Sequence, residues 1–518
     1  MRRMRSPFSD PAVAPAAMSE NGQTEPAAAL THNALMTLDS TICYRALKAR
    51  DARFDGRFFV AVSSTRIYCR PICTVRPPKR ENCRFFPSAA AAESSGYRPC
   101  LRCRPELAPG NASVDATTRL AQAAASMMED RTLDQDGLDT LAARLGITDR
   151  HLRRAFGAEF GVSPVEFAQT QKLLLAKRLL TDTALPVTEV AFASGFGSVR
   201  RFNALFKQRY RLRPSQLRGE RRGGAPPAAA VDVLKFELSF RPPFDWSAVS
   251  AFLGVRSIAG VEAVEGSCYR RTVRILSDGK EHAGWIAVEM SPKKPTLRVA
   301  VSASLAKALP PVLSRVKALM DLACHPAEVA QALGTLARRH PGLRVPGAFD
   351  GFEMAVRAIL GQQVTVAAAR TVAGRFAAMF GDAIATPFDS LTTLFPAAMR
   401  VAALSPGRIA RIGLPSARAR TVLALARSVA DGRLVLMPNA DIEATLERLR
   451  ALPGVGEWTA QYIAMRALSW PDAFPHTDLG LMKALGETGA RQVLAAGEAW
   501  RPWRAYAVMH LWQSLTKE

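Results

Sequence analysis

The sequence predicts a multidomain α+β protein. A small cysteine-rich α/β domain, an all-α double helix-turn-helix, an α+β domain built on a sheet and an all-α domain with a helix-hairpin-helix follow one another. Three observations predict it. Cys69-x3-Cys73 and Cys100-x2-Cys103 place four cysteines within 35 residues; a helix-turn-helix rhythm occurs twice between residues 138 and 217; and Pro453-Gly454-Val455-Gly456 joins two helical segments. At 518 residues the chain exceeds what one core can organise, so about three or four domains are expected. The formal net charge is +24 with 48% hydrophobic residues, which describes a folded basic protein whose partner is a polyanion, DNA or RNA. No apolar run reaches membrane-spanning length, so no membrane partner is expected.

Residues 1–36, rich in Ala and Pro with no apolar signal core, read as a disordered leader, with Met18 and Met36 as alternative starts. Residues 37–107 form the cysteine segment, with strand-like runs at Phe58–Val62 and Arg66–Cys69 between Pro-rich turns. Four thiols at this spacing in a reducing compartment read as one tetrathiolate zinc site, with ligands Cys69, Cys73, Cys100 and Cys103, rather than two disulfides. Cys43, Cys83, Cys268 and Cys324 read as packed thiols. Arg70, Arg76, Lys79, Arg80, Arg84 and Arg98 crowd the cluster with positive charge, and Arg70 and Arg76 are candidate phosphate contacts. A purely structural zinc site is the plainer alternative; the reactive one has a thiolate attacking an alkyl group on DNA.

Residues 115–220 turn helical. In the first unit Leu141 and Leu145 precede a turn at Gly146, Thr148 is the N-cap, and the second helix spans about 149–160. In the second, Gly195 and Gly197 flank the turn, Ser198 caps, and a helix runs from Val199 to Gln208. Arg150, His151, Arg153 and Arg154 in one unit, and Arg200, Arg201 and Asn203 in the other, are candidate DNA contacts. A solvated arginine-rich bundle is the alternative. Residues 221–231 (RRGGAPPAAAV) read as a short flexible linker, which predicts two independent halves. Strands return over 232–306, and 307–518 is mainly helical. At 449–468 the PGVG turn fits a helix-hairpin-helix that grips a phosphate backbone through turn amides and a helix N-terminus. Asp478 follows Trp458 by 20 residues and heads a helix over 479–485, for which it would serve as N-cap.

The helix pair ending in FKQRYRLRPSQLR resembles the AraC-type DNA-binding domain, departing at Arg211 and Arg213, where a Gly and a Ser or Thr are more common. With RFFVAV, YCRPIC, RENCRFF and GYRPCLRC before it, the cysteine segment resembles the Ada-type methyl-phosphotriester repair domain. That resemblance implies that Cys69 is both zinc ligand and methyl acceptor, and that its methylation promotes promoter binding. RPPFDW, RPGLRVPGAFDGFEMAVRAILGQQVTVAAA, the hairpin and WRPWRAYAVMHLW resemble the AlkA-type 3-methyladenine DNA glycosylases. This implies a TATA-binding-protein-like sheet domain at 232–306 and a glycosylase domain at 307–518. It also implies Asp478 as catalytic carboxylate, Trp458, Tyr462 and Trp512 as the base pocket, and Pro453, Gly454, Val455 and Gly456 as the DNA grip. Gln363 takes the place of the wedge residue, and the hairpin carbonyls are a candidate site for a monovalent cation. Trp458 stands where strand-nicking relatives carry a Schiff-base lysine, so base removal by water is expected. No Pro-Cys-His-Arg motif occurs, so direct repair of O6-methylguanine is not expected.

The expected function is DNA alkylation repair: hydrolytic excision of 3-methyladenine and 7-methylguanine, joined to methyl transfer onto Cys69 and transcription activation. Expected partners are alkylated and promoter double-stranded DNA and RNA polymerase, for a monomeric bacterial cytoplasmic protein. One alternative is an alkylation-responsive regulator whose glycosylase-like region only binds DNA; another is a glycosylase whose first domains only raise DNA affinity.

Overall fold

The computed structural model describes residues 39–110, 116–129, 133–219, 232–277, 279–438 and 441–515. The expected leader (1–36) and linker (221–231) lie outside the described residues. Among the described residues no helix is long and apolar enough to cross a membrane.

The cysteine segment is a four-stranded sheet in the order third–first–second–fourth, formed by Phe59–Val62, Ile67–Cys69, Cys83–Phe86 and Arg98–Pro99. Phe58, Val60 and Leu47 of the helix Ser40–Ala49 pack on one side; Phe59, Tyr68, Tyr97 and the alanines of the helix Ala89–Ser94 pack on the other. The strand Ile67–Cys69 runs parallel to Arg98–Pro99, with Tyr68 opposite Pro99. Cys69 and Cys100 therefore leave the sheet side by side, which is how the fold joins two cysteine pairs far apart in sequence.

Both helix-turn-helix units form where the capping signals stand. Thr148 accepts from the His151 amide to start the helix Asp149–Phe160, and Ser198 accepts from Arg201 to start Val199–Tyr210. The second helix runs two residues past the expected Gln208, because Phe202, Phe206 and Tyr210 continue one buried stripe. Arg211 then closes it in the left-handed conformation (φ 55), the place where glycine is the more common residue.

The third segment is an antiparallel five-stranded sheet of Val233–Ser239, Glu262–Glu265, Cys268–Ser277, Lys280–Met290 and Thr296–Ser302, in the order first–fifth–fourth–third–second. The helix Trp246–Gly254 lies beside it and buries Trp246, Val249 and Leu253. The remainder is mainly helical around Ile359, Phe376, Val422, Ile463 and Val508, with one short antiparallel pair of strands, Asp382–Ala383 and Thr393–Leu394. Sheet and helices are joined by buried ion pairs: Arg271 with Glu353 (2.6 Å), and Arg357 with Glu262 (2.6 Å) and Glu353 (3.1 Å).

The expectation of independent halves does not hold. Phe202, Phe206 and Tyr210 of the second helix-turn-helix share one apolar core with Leu234, Phe236, Leu238 and Val301 of the sheet. Arg178, on the helix Pro164–Asp182, stacks its guanidinium 4.9 Å from the Phe236 ring and donates to the Glu237 carbonyl. A linker's composition describes the joining chain and says nothing about the surfaces it brings together.

Candidate metal centre and active site

The four sulfurs of Cys69, Cys73, Cys100 and Cys103 lie within 4.8 Å of one another. A tetrahedron with metal–sulfur bonds of about 2.3 Å spaces sulfurs about 3.8 Å apart, so the set fits zinc and its all-sulfur donors suit a soft ion. Packed this closely, the thiols polarise one another. A bound dication lets all four be thiolates. The Arg70 amide donates to Cys103 Sγ at 3.3 Å.

Arg70 itself corrects the sequence reading. Its guanidinium is paired with buried Asp55 and also donates to the Cys103 carbonyl (3.2 Å), so it braces the cluster from inside and cannot meet a phosphate. Arg76 is exposed. Arg150, Arg153, Arg154, Arg200, Arg201 and Asn203 are also exposed, with Arg153 paired to Asp149 (2.7 Å) and Arg154 bonded to His151 (3.2 Å). Cys43 and Cys324 are buried; Cys83 and Cys268 are half-buried.

In the C-terminal segment the hairpin joins the helices Ile442–Arg450 and Glu457–Arg466. Gly454 has φ 81, and a Cβ there would sit 2.4 Å from Thr421 Oγ1, so only glycine fits. Thr421 Oγ1 donates to the Pro453 carbonyl (2.7 Å), and Gln362 Nε2 donates to the Gly454 carbonyl and to Thr459 Oγ1, both at 2.9 Å. Arg450 and Glu457 close the base of the hairpin with two hydrogen bonds of 2.7 and 2.9 Å. Beside Gln362, Gln363 is exposed with φ 56, held outward in a conformation that costs a non-glycine residue about 1–2 kcal/mol.

Asp478 caps the helix Leu479–Leu485 and is held by three donors. Trp458 Nε1 reaches Oδ2 at 2.7 Å, while Trp512 Nε1 and the Leu481 amide each reach Oδ1 at 3.0 Å. Trp458 and Tyr462 stack with ring centroids 5.2 Å apart and planes 6° from parallel, and Trp512 lies 6.2 Å from Tyr462. Capping and orientation coincide: the helix N-terminus that fixes the carboxylate also favours its charge. The fold thus brings Trp458, Tyr462, Trp512 and Asp478 into one cluster.

Sequence reasoning missed several neighbours of this cluster. Arg466 donates to the Tyr462 hydroxyl at 2.8 Å, and Arg256 stacks 3.8 Å from the Phe252 ring. Burial pushes the Tyr462 phenol up, but the guanidinium charges of Arg466, Arg256 and Arg357 outweigh it and hold it below its usual value. Gly480 is the least visible: a Cβ there would meet Asp478 Oδ1 at 2.8 Å and Trp512 Cδ1 at 3.3 Å. Nothing in the sequence signalled these positions.

Comparison with known proteins divides the chain into matching segments. Family models match residues 42–106 as the metal binding domain of Ada, 141–220 as a helix-turn-helix domain, 235–350 as the AlkA N-terminal domain, and 356–492 as the HhH-GPD superfamily of base excision DNA repair proteins. The DNA-3-methyladenine glycosylase 2 of Escherichia coli is 35% identical over 54% of this chain and 96% of its own length. The Escherichia coli bifunctional transcriptional activator/DNA repair enzyme Ada is 35% identical over 27% of this chain and 38% of its own. A probable bifunctional transcriptional activator/DNA repair enzyme AlkA of Mycobacterium tuberculosis is 40% identical over 91% of this chain and 96% of its own length. With a zinc-binding Ada segment, a DNA-binding helix-turn-helix and a glycosylase segment in one chain, this protein belongs to the bifunctional Ada/AlkA-type family of transcription activators and DNA alkylation repair enzymes.

Proposed function

We propose that Asp478 carries the hydrolytic excision of N-alkylated purines, and that Cys69 takes methyl groups from DNA methyl phosphotriesters and thereby switches the helix-turn-helix pair to specific promoter binding. The observation that carries the first part is the carboxylate held by two indoles and a backbone amide beside a cluster of aromatic rings. Alkylation gives the purine a positive charge and weakens its glycosidic bond. The flipped base stacks on Trp458, Tyr462 and Trp512 as a cation on aromatic faces. As the bond between C1′ and the base nitrogen breaks, the electron pair leaves with the base, and Asp478 faces the cation left on the sugar. Its donors fix it in place, so little reorganisation is needed. Water then adds at C1′ and loses a proton, giving an abasic site. Trp458 cannot form the Schiff base that strand nicking requires, which supports a monofunctional enzyme.

The pocket would select electron-poor rings such as 3-methyladenine and 7-methylguanine. The Pro453–Gly456 turn would take the phosphate backbone, with Gln363 filling the gap left by the base. A monovalent cation at the hairpin carbonyls belongs to the same reading.

For the second part, Cys69, Cys73, Cys100 and Cys103 would hold zinc, which would keep Cys69 ionised yet nucleophilic near neutral pH. The methyl triester has lost its negative charge, so sulfur can approach it. The Cys69 S–C bond forms as the methyl C–O bond breaks, and the phosphodiester leaves with the electron pair. The cluster loses one negative charge and its repulsion from DNA falls. Arg150, Arg153, Arg154, Arg200, Arg201 and Asn203 would then face the promoter, and Arg76 a phosphate. In this reading the chain acts as a monomer and recruits RNA polymerase. Its functional units are 37–107, 115–220, 232–306 and 307–518.

The test is release of methylpurines from alkylated duplex DNA by wild type and Asp478→Asn. Release by wild type with near loss in the variant is expected; no release by folded wild type would sink the enzyme. Mass spectrometry of the Cys69 peptide after exposure to methyl-phosphotriester DNA tests the second part.

A further inference from the structure

The cysteine segment touches the glycosylase half directly. Asp55 and Arg70 form a buried pair against the cluster, at 2% and 4% exposure. The chain then turns at Gly56 (φ 79), where a Cβ would fall 2.2 Å from the Pro109 carbonyl and 3.3 Å from Arg241 Nη2. Arg241 comes from the sheet segment, is 1% exposed, and donates Nη1 to the carbonyls of Ala323 (3.0 Å) and Cys324 (3.3 Å). Burial pulls its pKa down to about 9, and the Asp55 carboxylate is the first of the groups opposing that pull. At the rim Arg57 pairs with Glu328 at 2.7 Å. A Cβ on Gly110 would lie 3.6 Å from that of Ala323.

These contacts have one physical sense. A guanidinium buried this deeply needs negative charge nearby, and desolvating it without a carboxylate is costly. The nearest opposing charge, Asp55, comes from the other half of the chain, where it is itself paired with Arg70. The loop that receives Arg241 is hydrogen-bonded to the helix that bears Trp512. Asp321 accepts from the Val345 amide (3.3 Å) and from the Tyr506 hydroxyl (2.9 Å), and Tyr506 lies on the helix Arg504–Ser514 that bears Trp512.

We propose that the zinc-binding segment is the built-in partner of a docking surface on the glycosylase half, with Gly56 packed against the Arg241 guanidinium at its centre and the Arg57–Glu328 ion pair at its edge. The glycosylase half then depends on the sensor for its stability. The sensor is a structural subunit of the repair enzyme in addition to its own chemistry.

The sequence supplies a clean reporter: all seven tryptophans, from Trp246 to Trp512, lie in the glycosylase half. Intrinsic tryptophan fluorescence of the full chain therefore follows that half alone. Asp55→Ala, remote from it in sequence, is expected to lower the tryptophan-monitored melting midpoint by several degrees. An unmoved midpoint overturns docking even if the sensor itself unfolds. A second variant tests the geometry. Gly110→Cys with Ala323→Cys would place two Cβ atoms within the roughly 3.5–4.5 Å that a disulfide needs. Mild oxidation is expected to yield a 110–323 linked peptide in near-complete amount, read by mass spectrometry. Absence of that peptide from protein with wild-type circular dichroism overturns the proposal. Neither readout needs enzymatic turnover, so each fails separately from the repair reading.

Discussion

Gly480→Ala isolates the bracing of Asp478 from the presence of its carboxylate. The added Cβ would stand 2.8 Å from Oδ1 and 3.4 Å from Trp512 Nε1, so the carboxylate, the indole or both must shift. The same Oδ1 accepts the 3.0 Å bonds from Trp512 and Leu481. A hydrogen bond to a charged group is worth about 1.5–3 kcal/mol. If that much is lost from the transition state, the chemical step slows by roughly 10- to 150-fold. The fold should scarcely register the change. Alanine gains about 1 kcal/mol over glycine in a helix, and a weakened N-cap loses about 1 kcal/mol. Single-turnover release of 3-methyladenine under enzyme excess measures the first effect, and tryptophan-monitored melting the second. In an Asp478→Asn background the substitution should cost much less, because both changes strike one unit. A variant with wild-type rate and wild-type melting would refute the reasoning, as would a rate loss that merely tracks unfolding.

Glu93, fully buried, accepts from the hydroxyls of Tyr68 (2.9 Å) and Tyr210 (3.1 Å), with Arg209 and Lys177 also facing it. Burial pushes its carboxyl from 4.5 up to about 8. The folded chain then holds a proton that the unfolded chain releases, so stability is full below pH 4.5 and falls as pH rises towards about 8. Glu93→Gln should flatten that slope in denaturant titrations at pH 5 and pH 8, and an unchanged slope counts against it. Gln363→Gly relieves a left-handed residue worth about 1 kcal/mol of strain. It should raise stability slightly while slowing base release from duplex DNA more than from single strands; equal rates on both would exclude a wedge. Cys69→Ser should abolish methyl uptake by mass spectrometry and leave Asp478-dependent base release on folded protein intact, whereas uptake elsewhere would reassign the acceptor.

Local chemistry was legible in the sequence where a residue's role depends on its near neighbours. Thr148 and the apolar spacing that follows it bound the helix Asp149–Phe160 as expected, and Asp478 caps Leu479–Leu485. The cysteine spacing likewise marked a cluster that the parallel pairing of Tyr68 with Pro99 assembles. What stayed hidden depends on partners from elsewhere in the chain. Arg70 looks like any arginine in a basic segment until Asp55 arrives beside it, and burial then reverses its role. Phe236 reads as the inner face of an ordinary strand, with nothing to mark the helix-turn-helix as what covers it. Gly480 carries no signal at all, since a helical glycine is notable only for what a methyl group would strike.

Two adjacent glutamines tie together tasks usually discussed apart. Gln362 is bonded to the turn Gly454 and to Thr459, and its own carbonyl accepts from Arg418 at 2.8 Å, while Gln363 stands out into solvent. With no residue between them to flex, the outward side chain has a fixed offset from the hairpin. In the proposed reading that offset is a ruler. The phosphate held by the turn and the nucleotide turned out by the wedge are counted from a common origin, so the enzyme would test one position at each stop along the duplex.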